Sequence, residues 1–551
     1  MVPGAEDTIA IAGVVRYPHI GAMRKRLICL AALILAANTL AAQTPKSGAG
    51  TTPTLVVLIT IDGFRASNLE KFGPQLTGGL ARLTKGGAWF TNAHQDHAIT
   101  ETAPGHASLL SGRFPRSTGI AANRVGVTDP ESPLVGGSGV IGASPKRFQG
   151  TELFDWMLSK YSQSRALSVS SKDRGAILPI GKSRQQVYWY PGDGNFTTSR
   201  YYTDSLPVWV TQFNERHLPQ AYAGKSWNLL APDSAYHEAD SVAIEGLGND
   251  FVFPHPVPAD PQRAANWIRG TPFIDEVTVA LALDGVNAMK LGAGASPDLL
   301  AISLSATDAV NHRLGPDSRE AHDQVLRTDR VIGVLLDSLF RLRDSSRVVV
   351  VLAADHGFTT IPEIAAENPN TKPMPTRASL DDALRVARAK MRELKVDTLA
   401  LEVDQQIVLA DRAAFVKAHA SLNDVTDEFI KTALLTPGIH RVDRLQKLRS
   451  ADTLTDPVAR RWVHQFPEGT NVELVATLDP GSLWSSILVA SHGSPYDIDS
   501  HVPIVFYGSG IAAGKYDQFV RTVDIAPTLA KLLGIQPLER LDGVPLTRAL
   551  K

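Results

Sequence analysis

The sequence predicts an α/β fold, a mostly parallel central sheet sandwiched by helices, with inserted segments forming a cap or side lobe over the strand ends. Three observations predict it. Continuous apolar runs recur at 55–61, 166–170, 299–304, 347–352, 486–489 and 502–507. Strands buried on both faces of a parallel sheet read this way. Helical patterns lie between them, notably from Ser318 to Leu342. Several runs also end in polar residues suited to chemistry: Asp62-Gly63, Ser171-Lys172, Thr307-Asp308, Asp355-His356 and His492-Gly493. Open α/β sheets gather their ligands at such strand ends.

The N-terminus comes first. Met23-Arg24-Lys25-Arg26 is a positive segment, 27–35 is apolar, and 36–42 is rich in small residues. This pattern predicts a secretory signal peptide, because the apolar run is short for a membrane span. The other reading is an uncleaved N-terminal anchor. Residues 1–22 read as an upstream extension with Met23 the more natural start, so 1–42 is set apart from the fold and 43–54 is a linker. The expected location is periplasmic or secreted, with no membrane span after cleavage. The single cysteine, Cys29, lies in the apolar run. The mature chain therefore has neither disulfides nor thiolate ligands, and any metal must be held by nitrogen and oxygen.

Residues 55–551 form the expected catalytic domain. Within it, 184–285 (rich in Tyr, Trp, Pro and Asp) and 362–480 (a helical pattern at 379–395 among charged loops) fit the sheet pattern poorly. Both read as cap insertions. Residues 522–530 read as a strand end followed by a closing helix. The chain of 551 residues has 55 Lys and Arg against 56 Asp and Glu, a net charge of −1. A nucleic-acid-binding module would show a basic excess. Small-molecule substrates and a monomeric chain are expected.

Taken together, the strand-end residues supply six ligands: Asp62, Asp308, His312, Asp355, His356 and His492. Asp308 and His312 are four apart and share a face if their segment is helical. Asp355 and His356 are adjacent, and adjacent residues that point apart can serve two neighbouring metals. Each pair alone is ordinary, since Asp-Gly makes turns. Their common placement at strand ends is what points to a metal site. Imidazole and carboxylate ligands without thiolate suit catalytic zinc. In Thr100-Glu101-Thr102-Ala103-Pro104-Gly105-His106, the proline fits a first helical turn and places Thr102 at or just before a helix N-terminus. There a threonine either caps the helix or meets an anionic phosphoryl group, and the roles are compatible.

These segments, Ile59-Thr60-Ile61-Asp62-Gly63-Phe64, Thr-x-Thr-Ala-Pro-Gly-His, Thr307 to His312, Ala354-Asp355-His356-Gly357-Phe358 and Ser491-His492-Gly493-Ser494, resemble the alkaline phosphatase superfamily. The resemblance lies in its type I phosphodiesterase/nucleotide pyrophosphatase branch, closest to the threonine-nucleophile phosphate-irrepressible alkaline phosphatases. It implies an alkaline phosphatase-like fold and two zinc ions per chain. One zinc would be held by Asp308, His312 and His492, the other by Asp62, Asp355 and His356. Thr102 would lie between them as nucleophile and metal-contacting hydroxyl. Sulfatases are disfavoured because no arginine follows Pro104 in their pattern. The resemblance also gives Asn123 a phosphoryl oxygen to contact.

Lys172 and Arg174, just after a strand, place two cations on non-bridging phosphate oxygens. A monoester dianion gains more from them than a diester does. The resemblance agrees, since this Lys-x-Arg marks the threonine-type monoesterases. The expected function is an exported two-zinc alkaline phosphatase that hydrolyses phosphate monoesters through a phosphothreonine. A phosphodiesterase or nucleotide pyrophosphatase, a non-catalytic zinc-stabilised binding protein, and a metal-dependent mutase stay open at this point.

Overall fold

A computed structural model describes residues 52–136 and 141–551. The signal peptide and extension expected over 1–42, and the linker up to Thr51, lie outside the described residues. Among the described residues no helix is long and apolar enough to cross a membrane.

The centre is an eight-stranded sheet. Its strands are β1 (Leu55–Ile61), β2 (Ala88–Phe90), β3 (Ala166–Ser170), β4 (Gln186–Trp189), β5 (Asp298–Leu304), β6 (Val348–Ala353), β7 (Ile504–Gly508) and β8 (Gly514–Tyr516). Their order across the sheet is β8-β2-β7-β6-β1-β5-β3-β4. β1 is central and pairs in parallel with β5 and β6. Only β7 runs against the others. The mostly parallel α/β sheet expected from the apolar runs is the fold observed.

Alternation along β1 builds the two cores. Leu55, Val57, Ile59 and Ile61 face one side, packing against α1 (Gly79–Gly86), α5 (Phe273–Ala288) and α7 (Arg319–Leu342). Val56 and Leu58 face the other. That side is covered by α2 (Thr102–Ser111), α3 (Leu153–Lys160), α4 (Asp173–Ile177) and α8 (Ile525–Leu533). Successive strand residues point to opposite faces, so both kinds of position must be apolar. The helix expected from Ser318 begins at Arg319, with Ser318 as its N-cap accepting from the Ala321 amide. Such caps satisfy an amide that the first turn leaves free.

The run at 486–489 is not a strand. It is irregular, and Ile487 is 86% exposed. An apolar run needs a neighbouring strand to take its backbone hydrogen bonds, and none lies there among the described residues. His492 therefore sits on a loop rather than at a strand end.

Over 184–285, β4 extends the sheet edge and α5 covers one face. The stretch between them is anchored on α7. Trp227 Nε1 and the Tyr236 hydroxyl donate to the two Asp323 oxygens at 2.7 Å each. Within 362–480, an antiparallel sheet is made of Leu401–Asp404, Ile407–Ala410, Val472–Leu478 and Ile439–Arg444. With the helices Asp381–Glu393 and Leu422–Ala433 it encloses a core of its own.

Candidate active site

The carboxyl ends of β1, β3, β5 and β6 meet the start of α2, and the candidate residues gather there. Asp62 follows β1 directly and is fully buried. Asp308 lies in α6 (Ala306–Leu314), and His312 one turn later brings Nε2 to 3.3 Å from Asp308 Oδ1. His492 Nε2 is 3.4 Å from the same oxygen. His356 Nε2 lies 3.4 Å from Asp62 Oδ1 and 3.7 Å from Asp355 Oδ2. The ligand atoms form two groups, Asp308–His312–His492 and Asp62–Asp355–His356.

Asp355 and His356 fall in one group, not two. β6 ends at Ala353 and the chain bends at Asp355, so the rule that strand neighbours point apart no longer applies.

Each imidazole is oriented by its other nitrogen. Nδ1 of His312 bonds the Ala490 carbonyl at 2.9 Å, that of His356 the Gly357 carbonyl at 2.8 Å, and that of His492 the Thr100 carbonyl at 2.7 Å. A carbonyl only accepts, so in each ring Nδ1 is the donor, and in the neutral ring Nε2 turns its lone pair toward the carboxylates. This is the arrangement metal-binding histidines use. Asp62 Oδ1, Asp308 Oδ1 and His356 Nε2 are buried without a hydrogen-bond partner. Buried acceptors facing acceptors are costly unless a cation lies among them. Two divalent ions fit this donor set.

The electrostatics say the same. Burial opposes ionisation of Asp308, yet Lys172 and His312 hold it well below the ordinary carboxylate range. Burial lowers His356, but Asp355 and Asp62 outweigh it and raise the pKa to about 9. Burial and the stacked His356 ring, 3.5 Å away between centroids, push His492 down to about 3. The site is rich in negative charge and draws in cations.

Lys172 and Arg174 flank it. The Lys172 ammonium lies 2.7 Å from Asp62 Oδ2 and 2.5 Å from Asp308 Oδ2, at the seam of the two groups. Arg174, in α4, lies 3.6 Å from its neighbour Asp173 and pairs with no other carboxylate among the described residues.

Thr102 is the first residue of α2 and is 1% exposed. It is not the cap; Glu101 holds that position in extended geometry. Asn123 Oδ1 accepts from the Ala103 amide at 2.9 Å, and the Asn123 amide donates to Glu101 Oε2 at 2.6 Å. That leaves Nδ2 of Asn123 without a protein partner among the described residues. Burial raises the Glu101 pKa against the pull of the Asn123 amide and Arg174.

Sequence reasoning passed over His106 and Glu101. His106 is buried, with Nδ1 2.9 Å from the Thr102 carbonyl and 3.0 Å from Asp355 Oδ2. It ties α2 to the Asp62 group. Its position four residues after Thr102 was the available signal, because that spacing stacks two side chains on one helix face.

α2 approaches Asp355 closely enough to require glycine. A Cβ at Gly105 would lie 2.2 Å from the Asp355 carbonyl oxygen. Gly105→Ala should therefore cost roughly 1–3 kcal/mol of stability, the range of an overpacked core. Denaturant unfolding measures it, and an unchanged midpoint would contradict this packing.

Residues 56–440 match the family described as type I phosphodiesterase / nucleotide pyrophosphatase. Alkaline phosphatase PafA of Elizabethkingia meningoseptica is 29% identical over 95% of this chain and 98% of its own length. Alkaline phosphatase PhoK of a Sphingomonas species is 30% identical over 90% of this chain and 91% of its own. The crystal structure of wild-type alkaline phosphatase PafA superposes with a TM-score of 0.83 at 28% identity, covering 91% of this chain and 99% of that one. A PafA variant substituted at a threonine, an asparagine, a lysine and an arginine superposes with a TM-score of 0.84.

Proposed function

The chain belongs to the type I phosphodiesterase/nucleotide pyrophosphatase family, and from that membership we propose that it is an exported two-zinc alkaline phosphatase. It hydrolyses phosphate monoesters through a phosphothreonine at Thr102. The observation that carries this reading is the pair of three-residue groups beside the first residue of α2, flanked by Lys172 and Arg174.

Asp308, His312 and His492 would hold one metal; Asp62, Asp355 and His356 would hold the other. Bound there, the ions supply Lewis-acid chemistry: a lowered pKa for the threonine hydroxyl and neutralisation of charge on the leaving oxygen. Three imidazoles among six ligands favour zinc over magnesium, which prefers oxygen. Thr102 Oγ1 attacks phosphorus in line, forming the threonyl phosphate and releasing the alcohol. Water then cleaves that ester and regenerates the hydroxyl. The Asn123 Nδ2 donor, Lys172 and Arg174 hold the equatorial oxygens while charge shifts between the attacking and leaving atoms.

Lys172 and Arg174 select the monoester, which has one more negative charge than a diester. The PafA variant supports these roles. Its substituted threonine and asparagine are 21 positions apart and its lysine and arginine 2 apart, the same intervals as from Thr102 to Asn123 and from Lys172 to Arg174. The segment at 23–42 supports export.

Elemental analysis of the folded protein tests the metal assignment. Two zinc ions per chain are expected, and a folded, active protein free of zinc would overturn it.

A further inference from the structure

The two candidate metal groups draw ligands from loops far apart in the chain. Asp355 and His356 follow β6, while His492 lies on the connection that leads to β7. The Nδ1 bonds of His356 and His492 orient the two rings without joining their loops.

Asp499 joins them. It sits in a helical turn at Asp497–Ser500 and is fully buried. Its Oδ1 accepts from the Thr359 hydroxyl at 2.8 Å, and its Oδ2 accepts from the Ser494 amide at 2.9 Å. Thr359 is three residues past His356, and Ser494 is two past His492. One carboxylate thus takes one donor from each metal-bearing loop.

Backbone bonds pack the same seam. The Gly357 amide donates to the Asp499 carbonyl at 2.6 Å, the Phe358 amide to the Ile498 carbonyl at 3.1 Å, and the Thr359 amide to the Ser491 carbonyl at 3.0 Å. A Cβ at Gly357 would lie 2.3 Å from the Ile498 carbonyl oxygen, so the chains approach as only glycine allows. From this seam the Phe358 ring reaches His312 and His492 edge to face, with centroids 4.9 and 5.2 Å away. A displacement of either loop would therefore be felt by ligands of both groups.

Resting on the two-metal reading, we propose that Asp499 is a positioning residue: by bridging Thr359 and Ser494 it fixes the His492 loop against the His356 loop, and so fixes one metal group relative to the other. In-line displacement needs positive charge at both the attacking and the leaving oxygen. A shift of one loop would misplace that charge where it must act.

The test measures zinc affinity of the metal-stripped chain by competition with a chelating indicator, and kcat and KM for an aryl phosphate at saturating zinc. Asp499→Ala removes the bridge, and Thr359→Val removes one donor at nearly constant volume. Both should weaken zinc binding by about 10–100-fold, the range for partners that orient metal ligands. At saturating zinc, kcat should fall about tenfold while KM changes by less than about threefold, because the misplaced charge matters most in the transition state. Thr359→Ser keeps the hydroxyl and should stay within about threefold of wild-type affinity. Adding Thr359→Val to Asp499→Ala should cost less than about twofold more, since one bridge is broken only once. Fully multiplied losses in the double variant, or Thr359→Ser as weak as Thr359→Val, would overturn the bridge. So would variants with a lowered unfolding midpoint but wild-type zinc affinity, the mark of a role in folding alone. A wild type that binds no zinc would instead overturn the two-metal reading beneath it.

Discussion

Thr102→Ala should lower kcat on an aryl phosphate monoester by roughly a thousandfold or more while leaving the zinc content nearly unchanged. Six other candidate ligands remain in their two groups. Alanine is a strong helix former, so α2 should keep its first turn. Asn123 would still accept from the residue 103 amide, and His106 would still bond the residue 102 carbonyl. The substitution therefore removes the hydroxyl and little else. Residual turnover would come from water attacking phosphorus directly in a site that still neutralises charge. Acid quenching of wild type during turnover should trap phosphate on Thr102, located by peptide mass spectrometry. A variant with near-wild-type kcat would require a different nucleophile.

The second large effect concerns substrate charge. Lys172→Ala/Arg174→Ala should reduce kcat/KM for monoesters by roughly a thousandfold, taking about 2–3 kcal/mol for each charge-assisted contact in a dry site. Loss on a diester should be far smaller, because its singly charged phosphoryl group gains less from a second cation. Lys172 also lies against Asp62 and Asp308, so metal content should be measured on the same preparation. With zinc retained, equal losses on both substrates would show that the pair does not discriminate charge.

Much of this architecture was legible in the sequence because buried parallel strands leave a plain trace. The run at 55–61 coincides with β1, and Asp62 follows it immediately, so strand and candidate ligand could be read together. The 166–170 run and its Lys172 are similar. The trace fails where apolar residues are exposed. Ile487 and Leu488 look like strand interior but lie in a connection at the surface, so His492 was placed on the wrong kind of element. It also fails for short, half-exposed strands. The Leu401–Asp404 and Ile439–Arg444 strands mix apolar and charged residues, and the second pairs with Val472–Leu478 across two intervening helices.

Within the site, polar residues were legible where glycine or proline punctuated them, as at Asp62-Gly63 and Thr102-Ala103-Pro104. His106 was legible only as a neighbour of Thr102 on one helix face, because no local pattern encodes its contact with Asp355, 249 residues away. The orienting carbonyls of Thr100, Gly357 and Ala490 were invisible for the same reason. Backbone acceptors have no sequence signature, yet here they fix which nitrogen of each imidazole faces the carboxylates.

We read this site as built for a phosphate monoester, within a family whose description names diester and pyrophosphate hydrolysis. The most direct measurement is kcat/KM of the zinc-loaded wild type for an aryl phosphate monoester and for its methyl diester, under identical conditions. The enzyme should prefer the monoester by at least roughly a hundredfold, the effect of about one charge-assisted contact used by the dianion alone. A preference for the diester would contradict it and assign the chain to phosphodiester hydrolysis.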